Sequence, residues 1–197
     1  MKSNDLIMEM VRKNNGTITS GQVSACGLSR GSLKYLVDEG MLERVSRGVY
    51  IIPEMWDDEF LNLQIRFKKG IFSKETSLFL NGFIDRTPHK FHMTFPINYN
   101  ITSIKNENVI CDRVKKDLYG IGVVNIKTPG GNMVKAYGVE RTLCDILRGR
   151  SYTDIQIVSD AFKRYSKSEN KNIPMLSEYA KLLRVEKKLR SYLEVLL

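Results

Sequence analysis

Thr19-Ser20-Gly21-Gln22-Val23-Ser24-Ala25-Cys26-Gly27-Leu28-Ser29-Arg30-Gly31-Ser32-Leu33-Lys34-Tyr35-Leu36-Val37-Asp38-Glu39-Gly40 is the stretch that decides the fold. Thr19 or Ser20 caps a short helix that buries Val23 and reaches Ala25, and Gly27 supplies a tight turn. Ser29 caps a second helix with Leu33, Leu36 and Val37 on one side, and Gly40 ends it. At about 100° per residue the opposite face carries Gly31, Lys34, Tyr35 and Asp38, with Ser32 to one side. Two short helices around a glycine turn are the spacing of a helix-turn-helix.

Upstream, Leu6, Ile7, Met10 and Val11 recur at helical spacing, with Ser3 or Asn4 to cap the start and Asn14-Asn15-Gly16 to end it. Downstream, Leu42 to Val45 and Val49 to Ile52 flank Ser46-Arg47-Gly48 and read as a hairpin. Three helices and a hairpin predict a winged helix-turn-helix over residues 1–52, whose second motif helix enters the major groove of DNA. Gly31 allows close backbone approach, Ser32 and Tyr35 can hydrogen-bond, Lys34 can meet a phosphate, and Arg30 stands in the first turn. Arg44 and Arg47 flank the wing tip. With Thr19, Gln22 and Ser29 at the helix starts, these form the candidate DNA-binding set. Asp38, Glu39 and Glu43 dilute the field, which suggests two copies cooperating on DNA and a monomer in solution. A packing or protein-binding role for the same module is the alternative.

Composition limits the rest. The chain has 197 residues, 31 Lys+Arg against 22 Asp+Glu, a net charge of +9 and 42% hydrophobic residues. The basic excess fits an anionic partner and is spread, +2 over residues 1–52, +4 over 53–150 and +3 over 151–197. No stretch reaches the roughly 18–20 apolar residues of a membrane span, and Met1 to Asp5 begins no apolar leader. Cys26, Cys111 and Cys144 are widely spaced and odd in number and form neither a disulfide framework nor a CxxC-type zinc site. A soluble cytoplasmic protein without membrane contact is expected.

Residues 53–197 read as a mixed sheet with C-terminal helices, so the fold class is α+β. Pro53 and the acidic run to Glu59 mark the boundary, with Trp56 able to pack the linker down. A helix through Phe60, Leu61, Leu63, Ile65 and Phe67, a strand at residues 70–73 and a helix from Glu75 to Asn81 follow. Phe91, Met93 and Phe95 alternate with His92 and Thr94, predicting a half-buried strand. Strands are also predicted at residues 109–111, 122–126 and 133–137, with a turn at 128–132. Val139 to Arg148 reads as a helix, as do Tyr152 to Tyr165 and Ile173 to Leu197. One stripe is Ile155, Val158, Ala161, Phe162 and Tyr165. Others are Leu176, Tyr179, Ala180 and Leu183, then Val185, Leu189, Tyr192, Leu193 and Leu196 beside Lys187, Lys188 and Arg190.

Catalytic patterns are weak. Gly120-Ile121-Gly122 lacks the rest of a phosphate loop, His89 and His92 diverge on a strand, and no cofactor or metal is expected. A nuclease would start from Asp112, but Asn125-Ile126-Lys127 offers an amide where a second carboxylate is wanted. Arg141 and Asp145, at i and i+4, either pin their helix to the sheet or face a partner.

The winged helix, then Phe72-Ser73-Lys74-Glu75-Thr76-Ser77-Leu78-Phe79-Leu80-Asn81-Gly82, then Glu140-Arg141-Thr142-Leu143-Cys144-Asp145 resembles the AbiEi antitoxins of bacterial abortive-infection systems. The resemblance implies a non-enzymatic, type IV antitoxin of two domains, residues 1–52 and 53–197. The first would bind inverted repeats in double-stranded promoter DNA and repress its own operon. The second would counter a co-encoded nucleotidyltransferase toxin that acts in phage defence, without a stable complex. Glu140, Arg141 and Asp145 would then be the candidates for antitoxin function. Other readings are a stand-alone winged-helix regulator with a ligand-sensing or dimerising C-terminal domain, and a phage-defence nuclease.

Overall fold

The computed structural model describes residues 3–53, 58–104, 107–148 and 153–196. Trp56 and Tyr152 lie outside the described residues. The protein is α+β and divides into two compact units, one of residues 1–68 with 127–134 and one of residues 69–126 with 135–197.

The first unit begins with α1 (Ser3–Lys13), α2 (Ser20–Ala25) and α3 (Gly31–Asp38), which pack around Ile7, Val11, Ile18, Val23, Leu33, Leu36 and Leu42. These side chains are 0–2% exposed. Ile7 and Val11 on α1 and Leu33 and Leu36 on α3 recur at helical spacing, α2 adds Val23, and no helix here could be stable alone. The hairpin is β2 (Glu43–Ser46) and β3 (Val49–Ile51), antiparallel, with a register shift between Arg44 and Ser46. A third strand, β1 (Thr17–Thr19), pairs antiparallel with β3, so the sheet order is β1-β3-β2. The sequence reading omits β1 because three residues are too few for a periodic signal. Helix α4 (Glu59–Arg66) follows, N-capped by Asp58, whose carboxylate accepts the Leu61 N–H at 3.1 Å. The same carboxylate accepts Asn132 Nδ2 at 2.9 Å and the Thr128 hydroxyl. The 127–134 turn therefore closes on Asp58 as part of this unit.

The second unit holds β4 (Ile71–Phe72), α5 (Lys74–Leu80), β5 (Phe91–Pro96), β6 (Val109–Val114), α6 (Lys116–Tyr119) and all but the 127–134 ends of β7 (Val123–Lys127) and β8 (Met133–Tyr137). The strands form one sheet in the order β6-β5-β4-β8-β7. It is mixed: β4 runs antiparallel to β5, while β4–β8 and β5–β6 are parallel. His92 and Thr94, expected on an exposed face, are buried with Phe91, Met93 and Phe95. Strand β5 lies between β4 and β6, and α5 sits over it, with Thr76 Oγ1 accepting the His92 N–H at 2.8 Å. Burial depresses the His92 pKa to about 4, so the ring is neutral at pH 7. Strand β6 runs to Val114, three residues past the expected end, and α6 carried too short a pattern to be read.

Helices α7 (Val139–Ile146), α8 (Ile155–Lys167), α9 (Ile173–Leu183) and α10 (Glu186–Leu196) complete the unit around Leu143, Cys144, Val158, Phe162, Leu176, Ala180 and Leu189. The expected helical run of 173–197 breaks at Arg184, which takes φ +58° and turns the chain between α9 and α10. Ile155 does not join the buried stripe; it is 72% exposed, because it opens α8 one turn before the core begins.

Candidate nucleic-acid interface

Helix α2 starts where it does because of a capping box. Thr19 Oγ1 accepts the Gln22 N–H at 3.1 Å, and Gln22 Oε1 accepts the Thr19 N–H at 2.8 Å. Both side chains are thus engaged with the backbone of their own turn. Gly27, at φ +71°, makes the turn that a side chain would strain. Ser29 Oγ then accepts the Gly31 N–H at 3.1 Å, while Arg30, not Ser29, occupies the N-cap position of α3 without a side-chain cap bond.

The two faces of α3 separate as the spacing predicts. Leu33 and Leu36 are fully buried, Val37 is half-buried, and Gly31, Lys34, Tyr35 and Asp38 are exposed. Ser32 is half-buried between them. Tyr35 leaves 50% of its surface to solvent, a large aromatic left outside the core.

The wing is fastened to α2 at its tip. Gly48 has φ +81°, and a Cβ there would lie 2.8 Å from Ser20 Oγ. The Gly48 carbonyl accepts the Ser20 N–H at 2.9 Å. Arg47 stands exposed at this tip, and Arg44, exposed on β2, donates from Nε to the Ser46 carbonyl at 3.3 Å. Arg30, Lys34, Arg44 and Arg47 have no carboxylate within ion-pair distance among the described residues. The structure therefore brings four unneutralised cations onto one small unit. That arrangement can meet phosphates and base edges.

One polar group was unmarked in the sequence. Ser24 Oγ donates to the Ser20 carbonyl at 2.9 Å and accepts Arg30 Nε at 2.8 Å. The first bond was legible as a hydroxyl four residues after a helical carbonyl. The second joins side chains across the Gly27 turn, which no local pattern reveals.

The other candidate group lies in the second unit and is built differently. Arg141 is 1% exposed and Asp145 6%. Arg141 Nε meets Asp145 Oδ2 at 3.0 Å, and Nη1 donates to the carbonyls of Leu118 at 2.7 Å and Ile121 at 2.9 Å. Its guanidinium lies 4.3 Å from the Tyr137 ring centroid. Burial raises the Asp145 pKa while Arg141 opposes the rise. The pair is enclosed, not the exposed i,i+4 pair whose worth is a few tenths of a kcal/mol. Glu140 is half-buried and accepts the Tyr165 hydroxyl at 3.0 Å and the Asn172 N–H at 3.2 Å. The three residues brace α7 against its neighbours.

The nuclease positions do not assemble. Asp112 is on β6 and Asn125 on β7, the two opposite edges of the sheet, and Asp112 pairs with Lys74 Nζ at 2.8 Å. Among the described residues no group of three His, Cys, Asp or Glu could hold a metal ion, and no helix is long and apolar enough to cross a membrane.

Residues 5–53 match the family described as transcriptional regulator, AbiEi antitoxin, in agreement with the resemblance of the winged helix; the stretches 72–82 and 140–145 lie outside the match. This supports the role of a DNA-binding antitoxin regulator of a toxin–antitoxin system. Over the whole fold the chain is similar to the crystal structure of the Rv2827c protein from Mycobacterium tuberculosis, with a TM-score of 0.58 at 12% identity. The likeness covers 92% of this chain and 72% of that one, and it is a likeness of fold. No curated protein matches.

Proposed function

With an AbiEi antitoxin regulator match over its first fifty residues as the premise, we propose that the chain is the antitoxin of a type IV, AbiE-like toxin–antitoxin system of phage defence. It represses its own operon by binding inverted repeats in the promoter. Residues 1–52 are the DNA-binding part. Arg30, Ser32, Lys34 and Tyr35 face the major groove, Arg44 and Arg47 meet the backbone or minor groove, and Thr19, Gln22 and Ser29 set the helix starts beside the phosphates. Residues 53–197 carry the antitoxin function, which counters a co-encoded nucleotidyltransferase toxin in the cytoplasm without a stable complex. Glu140, Arg141 and Asp145 serve that part by holding its helices in place.

The observation that carries the DNA reading is the set of four exposed cations, Arg30 and Lys34 at α3 and Arg44 and Arg47 in the wing, with no carboxylate within ion-pair distance among the described residues. A toxin co-expression strain with a reporter driven by the chain's own upstream region tests both halves. Expression of the chain should silence the reporter and restore growth. The combined Arg30→Ala, Lys34→Ala variant should lift repression and leave the rescue intact. A reporter that stays on and growth that stays arrested would contradict the proposal.

A further inference from the structure

The polar bonds of α2 form a continuous line. The Gly48 carbonyl takes the Ser20 N–H at 2.9 Å, the Ser20 carbonyl takes the Ser24 hydroxyl at 2.9 Å, and Ser24 Oγ takes Arg30 Nε at 2.8 Å. The hydroxyl proton of Ser24 is committed to Ser20, which leaves its lone pairs for Arg30. Arg30 has one exposed side chain with many rotamers, and this bond holds it by Nε alone. The two terminal nitrogens have no partner among the described residues. A guanidinium held at Nε with both Nη groups free presents the fork that pairs bidentately with O6 and N7 of guanine in the major groove.

We infer that Ser24 is a positioning residue that orients Arg30 to read a guanine, so that each half-site carries a G·C pair at one fixed position. This rests on the DNA-binding reading above. It adds a specificity residue outside α3, and it explains why α2 carries a hydroxyl on its exposed side. Because the same line begins at Gly48 in the wing, the distance between the Arg30 contact and the wing contact is also fixed.

Selection of duplexes from a randomised pool by the full chain tests the inference, with Ser24→Ala, Ser24→Thr and Arg30→Ala beside the natural protein. Ala is a better helix former than Ser, so Ser24→Ala keeps α2. The natural chain should enrich a motif with one dominant G per half-site. Arg30→Ala should lose preference at that position only. Ser24→Ala should weaken the preference for that G by roughly tenfold while other positions hold, and Ser24→Thr, which keeps the hydroxyl, should restore it. A dominant G that survives Ser24→Ala at full strength overturns this inference alone, as does an Arg30→Ala motif unchanged at every position. A pool from which the natural chain selects no sequence overturns the DNA-binding reading and this inference with it.

Discussion

Arg30 and Lys34 both stand exposed at α3, yet different chemistry is asked of them. Lys34 carries a point charge without a fixed partner, suited to a phosphate. Lys34→Ala should weaken binding to every duplex alike and lower the salt slope by about one. Titrations of cognate and scrambled duplexes at several salt concentrations read this out, and an unchanged slope would reject the phosphate role. His92 makes a prediction of another kind. Its pKa is about 4 in the folded protein because of burial, against about 6.5 when exposed. The unfolded chain therefore binds the proton more readily, so the stability is present above about pH 6.5 and is lost as pH falls toward 4. The loss amounts to about 3 kcal/mol. Urea midpoints of the natural chain and His92→Gln at pH 7 and 4 should show the variant declining less, and parallel declines would contradict it. The alternation around His92 was plain in the sequence, but its burial was not, since the covering helix α5 sits in the connection between the antiparallel strands β4 and β5 and folds back over β5.

At the level of elements, what the sequence showed was what is local. Helices α1 to α3 and the β2–β3 hairpin follow from apolar spacing, Gly27, Gly40 and Gly48. Strand β1, of three residues, and helix α6, of four, are each too short for their pattern to repeat. The break at Arg184 escaped because the residue that turns left-handed there is an arginine, not the glycine or asparagine that usually marks a helix end. The α3 face was legible for the same local reason, whereas the Ser24–Arg30 bond spans a turn. Helix α7 shows the opposite case, since its i,i+4 pair was visible but its burial was not. Replacing Arg141 by Met removes the donor from the Leu118 and Ile121 carbonyls and from Asp145 Oδ2, leaving Asp145 the longer contact to Arg148 Nη1 at 3.8 Å. The cost should be about 3–5 kcal/mol, measured by urea unfolding of the full chain. A loss below about 1 kcal/mol would contradict a bracing role for the buried pair.

For the whole molecule, the net charge of +9 sets no site by itself. What matters is how few cations one copy can offer. With Arg30 on a base edge, Lys34, Arg44 and Arg47 together support a salt slope of about −2.7, and two copies on an inverted repeat about twice that. The central claim is sequence-specific binding by the winged unit of the full chain. The most direct test is binding to a labelled duplex from its own upstream region, against a scrambled duplex, over a range of salt. The account predicts a preference of about a thousandfold or more for the native duplex, with a slope of about −5 if two copies bind. Equal, weak binding to both duplexes would contradict it and leave the winged unit as a scaffold for protein partners.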